Sequence, residues 1–249
     1  MSFEEEYTTI DENWKQNLKG LAAGAMIAAT PLNSDAKARP NAIHSAETVS
    51  SNINSILPVQ NMDHAKVYDM LKRHEGYRPK VYIDSVGKPT IGIGYNLKWN
   101  VEKARQELSS VGLNYDLVVS GKQILTENQI KKLYNYSLIR AYRDCKDIFP
   151  NFSQYPAEIQ MVMLDMCFNM EYTTLNKFNK TKSLFYNGLV SYANYQKSGN
   201  IKQWVDAQQF WLAASKEMLN SVWSKQVGNR ALELSKMVSD FSNNLPVKN

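Results

Sequence analysis

The chain has 249 residues, 43% of them hydrophobic and 21% charged, near the globular average, which excludes wholesale disorder and a collagen-like fibre. Two cysteines, Cys145 and Cys167, and three scattered histidines exclude a disulfide framework and a histidine- or cysteine-rich metal site. Residues 1–60 hold seven acids and four bases while residues 61–249 hold 17 acids and 25 bases, so the larger part is drawn to polyanions, yet it lacks the aromatic-interleaved basic cluster of a nucleic-acid groove.

Residues 1–60 do not read as a packed domain. Acidic residues Glu4 to Glu12 are followed by an apolar run of small residues, Gly20 to Ala29, and then by a polar stretch from Pro31 to Ser55 that reads as a linker. The apolar run has three readings. It has the length of a secretory-signal core, with Ala36-Lys37-Ala38 as a cleavage site, although five acids and two bases before it give the wrong sign for a signal. It is also suited to a weak, releasable membrane anchor, or to a helix that docks on a partner. No run in the chain approaches 18 apolar residues, so an ordinary transmembrane helix is not expected.

From Asp63 the pattern turns helical. Asp63 is suited to an N-cap, Val67, Met70 and Leu71 share one face, and the helix is expected to end near Glu75-Gly76. Lys80–Ile83 and Lys88–Gly94 read as two strands of a hairpin around a Gly-containing turn. Beyond Asn100 the chain reads as helical. Thr126–Arg140 is amphipathic, and Glu158–Asn169 is nearly all apolar and so expected to be a buried central helix. Later helices are expected over Thr181–Lys197, Ile201–Glu217 and Gly228–Asn243.

Glu75, at a helix end, and Asp84, nine residues on in the hairpin, can face each other across a cleft. Glycoside hydrolysis needs such a pair: one carboxyl protonates the leaving oxygen and the other activates or positions water. Spacing alone is a weak signal, since surface acids often stand this far apart. The surrounding residues add to it. Leu71-Lys-Arg-His-Glu75-Gly-Tyr-Arg-Pro-Lys-Val-Tyr82-Ile-Asp84-Ser-Val-Gly87-Lys-Pro-Thr90-Ile-Gly92-Ile-Gly94 closely resembles the signature of the phage-type lysozymes, glycoside hydrolase family 24. Leu164–Met170 with Leu175–Phe178 resembles that family's central-helix motif, and Trp223–Ala231 its W-x-x-Q-x-x-N-R-A block.

The resemblance runs from Asp63 to Phe241 and implies an α+β, predominantly helical fold of two lobes, with a small β-hairpin lobe and a larger helical lobe. It divides the chain into an arm, residues 1–60, and a lysozyme-like catalytic domain, residues 61–249. It implies a muramidase that cuts the β-1,4 bond between N-acetylmuramic acid and N-acetylglucosamine without metal or cofactor. Glu75 would be the general acid, Asp84 the carboxylate that holds water or stabilises the sugar cation, and Thr90 the hydroxyl that orients water. Inversion would follow, with the carboxyl groups roughly 6.5–9.5 Å apart. Arg230 falls where the family pairs an arginine with the catalytic glutamate, a contact that works against holding a proton. Leu97, Phe168, Asn169 and Thr181 match sugar-contacting or cleft-wall positions; core packing is the other reading of Leu97 and Phe168.

Two residues depart from the family pattern. Tyr95 stands where relatives often have His or Arg in a structural ion pair. Glu171 stands where they usually have a Gly that ends the central helix in a left-handed conformation, costly for Glu. The implied partner is peptidoglycan, acted on at the bacterial wall or periplasm by a monomer with no nucleic-acid partner. Residues 1–60 would deliver the enzyme through export, membrane release or carriage in a virion. A lytic transglycosylase, a wall-binding module and a virion structural protein remain as alternatives. Gly92-x-Gly94 lacks the spacing of a phosphate loop. The cysteines, the tryptophans Trp204, Trp211 and Trp223, and methionines such as Met161, Met163, Met166 and Met170 read mainly as core.

Overall fold

The computed structural model of the chain describes residues 62–84 and 87–245. The readings of residues 1–60 as signal, anchor or docking arm lie outside them. Among the described residues no helix is long and apolar enough to cross a membrane.

Helix α1 (His64–Glu75) begins where the Asp63 carboxylate accepts from the backbone N–H groups of Ala65 and Lys66, and it buries Val67, Met70 and Leu71. It ends at Gly76, whose φ of 79° is open to glycine at little cost. A three-stranded antiparallel sheet follows in the order β1 (Arg78–Ile83), β2 (Pro89–Gly92), β3 (Tyr95–Asn96). Tyr82 pairs with Thr90 and Ile91 with Tyr95, and the register shifts between Arg78 and Tyr82. The second expected strand, Lys88–Gly94, is therefore two: positive φ at Gly92 and Gly94 reverses the chain between β2 and β3.

The rest is helical: α2 (Val101–Ser110), α3 (Tyr115–Val119), α4 (Glu127–Ile148), a 3-10 turn (Phe152–Gln154), α5 (Ala157–Asn169), α6 (Tyr172–Leu175), α7 (Asn179–Ser198), α8 (Ile201–Leu219), α9 (Val222–Val227) and α10 (Asn229–Asn243). Thr126 caps α4 in a reciprocal box with Gln129, and the helix runs eight residues beyond Arg140, where its amphipathic stretch was expected to end. The expected architecture is therefore present: a small sheet-bearing lobe and a larger helical lobe.

Helix α5 is the central one. It packs on α4 and α10, while α8 packs on both α7 and α10. Ile159, Val162, Met163, Leu164 and Met166 of α5 are buried, as are Cys145, Cys167, Trp211 and Trp223, so these side chains serve the core. Trp204 packs against the core with its indole N–H on the Leu245 carbonyl.

Candidate active site

Glu75 is the last residue of α1, so its side chain leaves the helix just as the backbone turns at Gly76 into β1. Its Oε1 accepts from the Arg230 guanidinium at 2.6 Å, and the two side chains are 16% and 8% exposed. Its Oε2 lies against Gly94. A Cβ built on that glycine would stand 2.9 Å from Oε2 and 3.0 Å from the Phe168 ring. Gly94 thus has two reasons to lack a side chain: a φ of 63° and the closeness of the glutamate. The same contact brings α1, the β2–β3 turn and α5 to one place.

Asp84 follows β1 in the hairpin loop. Oδ1 accepts from the backbone N–H of Lys88 at 2.8 Å, and backbone bonds between Asp84 and Lys88 and between Gly87 and Asp84 close the loop. The Thr90 hydroxyl, on the buried strand β2, stands 3.4 Å from Asp84 Oδ2 and 3.1 Å from the Lys88 carbonyl. It has one proton to share between two acceptors, and the carbonyl is nearer. Tyr82 connects the two carboxylates electrostatically. Burial raises its phenol above the ordinary value, and the charges of Glu75 and Asp84 push the same way. The two acids therefore act on one ring.

Arg230 opens α10 and divides its guanidinium between two acids. One amine meets Glu75, while Nε donates to Asp165 Oδ1 at 2.7 Å. Asp165 is fully buried on the central helix, and its other oxygen lies 2.7 Å from His74 Nδ1. The second ring nitrogen of His74 is 3.1 Å from Glu233, which also binds Arg73 at 2.7 Å. Burial is the largest single influence on His74 and opposes its charge. The hydrogen bonds to Asp165 and Glu233 outweigh it, and the imidazole is raised above its ordinary value. Glu233 also feels burial first, which would raise it, but His74 and Arg73 hold it below the usual carboxylate range.

These shifts set a pH dependence of stability. The contribution of charged His74 is fully present below the ordinary imidazole value of about 6.5 and is lost as pH rises through the raised folded value. The contribution of Glu233 is present above the ordinary carboxylate value and is lost as pH falls through its lowered one. Urea unfolding midpoints are therefore expected to decline on the alkaline side. In His74→Gln that decline should flatten; an unchanged slope would show that His74 is not its source.

The other expected residues divide. Phe168 and Asn169 are half-buried at the end of α5, and Asn169 accepts from the Trp223 indole at 2.8 Å. Leu97 is fully buried; its carbonyl accepts from the Tyr115 hydroxyl, so its side chain has no surface to offer a sugar. Thr181 is 2% exposed and borders a cavity of about 470 Å³ lined also by Met170, Phe178, Glu217, Val222 and Trp223. Glu75, Asp84, Asp165 and Glu233 do not line that cavity.

Both departures have structural answers. The Tyr95 hydroxyl donates to Glu107 at 2.7 Å, and Glu107 pairs with Arg140 at 2.9 Å, so an ion pair persists with the tyrosine attached to it. Glu171 has φ −63° and ψ 144°, and Met170 before it is extended too. The left-handed cost expected at this position is not incurred. Glu171 reaches Lys88 in the hairpin loop at 2.5 Å instead. Sequence reasoning missed Asp165 as the second partner of Arg230, and His74 and Glu233 as the groups linked beyond it. The signal was a lone acid in the apolar run Ile159–Phe168, since a buried charge needs a partner.

No family model matches the chain. Over 176 residues, 67% of the chain, it is 24% identical to the probable T4-type lysozyme 1 of Dictyostelium discoideum, of which it covers 89%. Over 130 residues, half of the chain, it is 29% identical to the pre-baseplate central spike protein Gp5 of Enterobacteria phage T4. It spans 23% of that protein's length. Both similarities are distant; the first of them, with the mainly helical α+β fold, makes the chain similar to a T4-type lysozyme.

Proposed function

We propose that the chain is a peptidoglycan hydrolase of the glycoside hydrolase family 24 type, a muramidase that cuts the β-1,4 bond between N-acetylmuramic acid and N-acetylglucosamine. The observation that carries this reading is the division of labour on Glu75. Arg230 occupies Oε1, and Oε2 is left over Gly94. A carboxyl held in this way can carry a proton on Oε2 while Oε1 still accepts from the guanidinium. It can thus be organised by Arg230 and still act as general acid. Asp84 is held by a backbone N–H with Thr90 beside it, the arrangement of a carboxylate and a hydroxyl that share a water. Attack by that water on the face opposite the leaving group gives inversion.

Phe168 and Asn169 would line the sugar cleft, with Asn169 oriented by Trp223. Leu97 would contribute only backbone, and Thr181 would act from the cavity beside it. The net positive charge of residues 61–249 suits an anionic wall. Residues 1–60 would bring this domain to the wall. Similarity to a phage spike protein favours carriage in a virion as the setting.

The test is cleavage of purified peptidoglycan by the full chain and by Asp84→Asn. New reducing ends are expected from the wild type, and a fall of at least about a hundredfold in the variant. An Asp84→Asn that stays active and yields anhydro ends would make the chain a lytic transglycosylase. A folded wild type that binds the wall without cutting it would leave a wall-binding role.

A further inference from the structure

We propose that Asp165 and His74 are positioning residues for the Glu75 carboxyl, acting through Arg230. This rests on the reading of Glu75 as the acid. Six side chains alternate in charge: Glu75, Arg230, Asp165, His74, Glu233 and Arg73, each joined to the next at 2.6 to 3.1 Å. The inner members are sealed from water, with Asp165 fully buried, His74 7% exposed and Arg230 8% exposed.

Arg230 alone is a long side chain with several rotamers. It meets Glu75 in one geometry because Asp165 fixes its Nε. Asp165 is fixed in turn by His74. Both ring nitrogens of His74 face carboxylate oxygens, and only the imidazolium can donate to both. The charged groups that act on His74 are Asp165 from α5 and Arg230 and Glu233 from α10; Arg73 and Glu75, beside it on α1, connect to it through Glu233 and Arg230. With His74 charged the chain of six is neutral; without that proton it carries one net negative charge.

The charges give the test a sign. Removing the positive charge in His74→Gln leaves the network more negative, which favours the proton on Glu75. The alkaline limb of the pH–activity profile should move up, by about half a pH unit for a charge at second-neighbour distance. Asp165→Asn removes a negative charge, and the limb should move down. Glu233→Gln should move it down by less. That residue is 42% exposed, so its variant serves where a buried one fails to fold.

Asp165 touches no substrate. Asp165→Asn should therefore lower kcat by about tenfold to a hundredfold through misplacement of the acid, with KM on soluble peptidoglycan strands changed by no more than about twofold. A merely structural role would lower the amount of active protein and leave the limbs in place.

The experiment is the pH profile of kcat and KM for the full-length wild type and the three variants. Limbs moving in opposite directions, up for His74→Gln and down for the two acid variants, would support the proposal. Limbs that stay in place, or move the same way in all three, would overturn it while leaving the hydrolase intact. A wild type that cuts no strands overturns the functional reading and this proposal with it, and is seen before any variant is compared.

Discussion

Glu75→Gln is expected to fold and to lose peptidoglycan cleavage by about two to four orders of magnitude, the share a positioned general acid contributes. Glutamine keeps the shape of the side chain, and its carbonyl oxygen can still accept from Arg230. It has no proton to give at the pH where a carboxyl does. Arg230 keeps its bonds to the Asp165 carboxylate and backbone carbonyl, so the variant does not strand a buried cation. Loss of activity with a near-wild-type unfolding midpoint thus separates chemistry from stability. A Glu75→Gln protein retaining more than about a tenth of the wild-type rate would remove Glu75 from the acid's role.

The second large effect lies away from the site. Gly188 stands in the middle of α7, where a glycine ordinarily costs about 1 kcal/mol relative to alanine, so Gly188→Ala would be expected to stabilise an isolated helix. The structure reverses that sign. A Cβ at Gly188 would stand 2.2 Å from the indole nitrogen of Trp211 and 2.4 Å from its neighbouring ring carbon. Trp211 is fully buried, donates to the Phe185 carbonyl and packs on the rings of Tyr192 and Phe241. It has nowhere to retreat. Gly188→Ala should destabilise the protein by about 3 kcal/mol or more, a fall of roughly 6–12 °C in the thermal midpoint for a domain of this size. A midpoint within about 2 °C of the wild type would show that α7 and α8 can slide apart at this contact.

What the sequence disclosed tracks how local each signal is. Asp63, Gly76 and the first helix face lie within fourteen residues, and each acts on its own backbone, so α1 and the turn after it were legible. The hairpin loop with Asp84 and Thr90 is local in the same way. The break between β2 and β3 was hidden because Ile91 and Ile93 continue an apolar alternation across a turn made by two glycines. The short helix α9 carries too few residues to show a period.

The site's supporting residues were the least legible. Asp165 meets Arg230 and His74 across 65 and 91 residues of chain. The apolar run around Asp165 marks it as an acid in need of a partner, but nothing local says which residue that partner is. Leu97 shows the opposite failure: its position was carried from a resemblance, while the structure encloses its side chain in the core. Glu171 is a third kind of case. Its cost was expected from a glycine's conformation at that place, and an extended Met170–Glu171 backbone removes the premise.

The most direct measurement is the mass of the products released when the wild type digests purified peptidoglycan in water labelled with oxygen-18. Hydrolysis by an Asp84-held water predicts muropeptides whose new reducing ends carry one heavy oxygen, formed by the wild type and absent with Glu75→Gln. Unlabelled anhydro ends would contradict the two-carboxylate account, because they mean that the sugar closed on itself and that no water attacked.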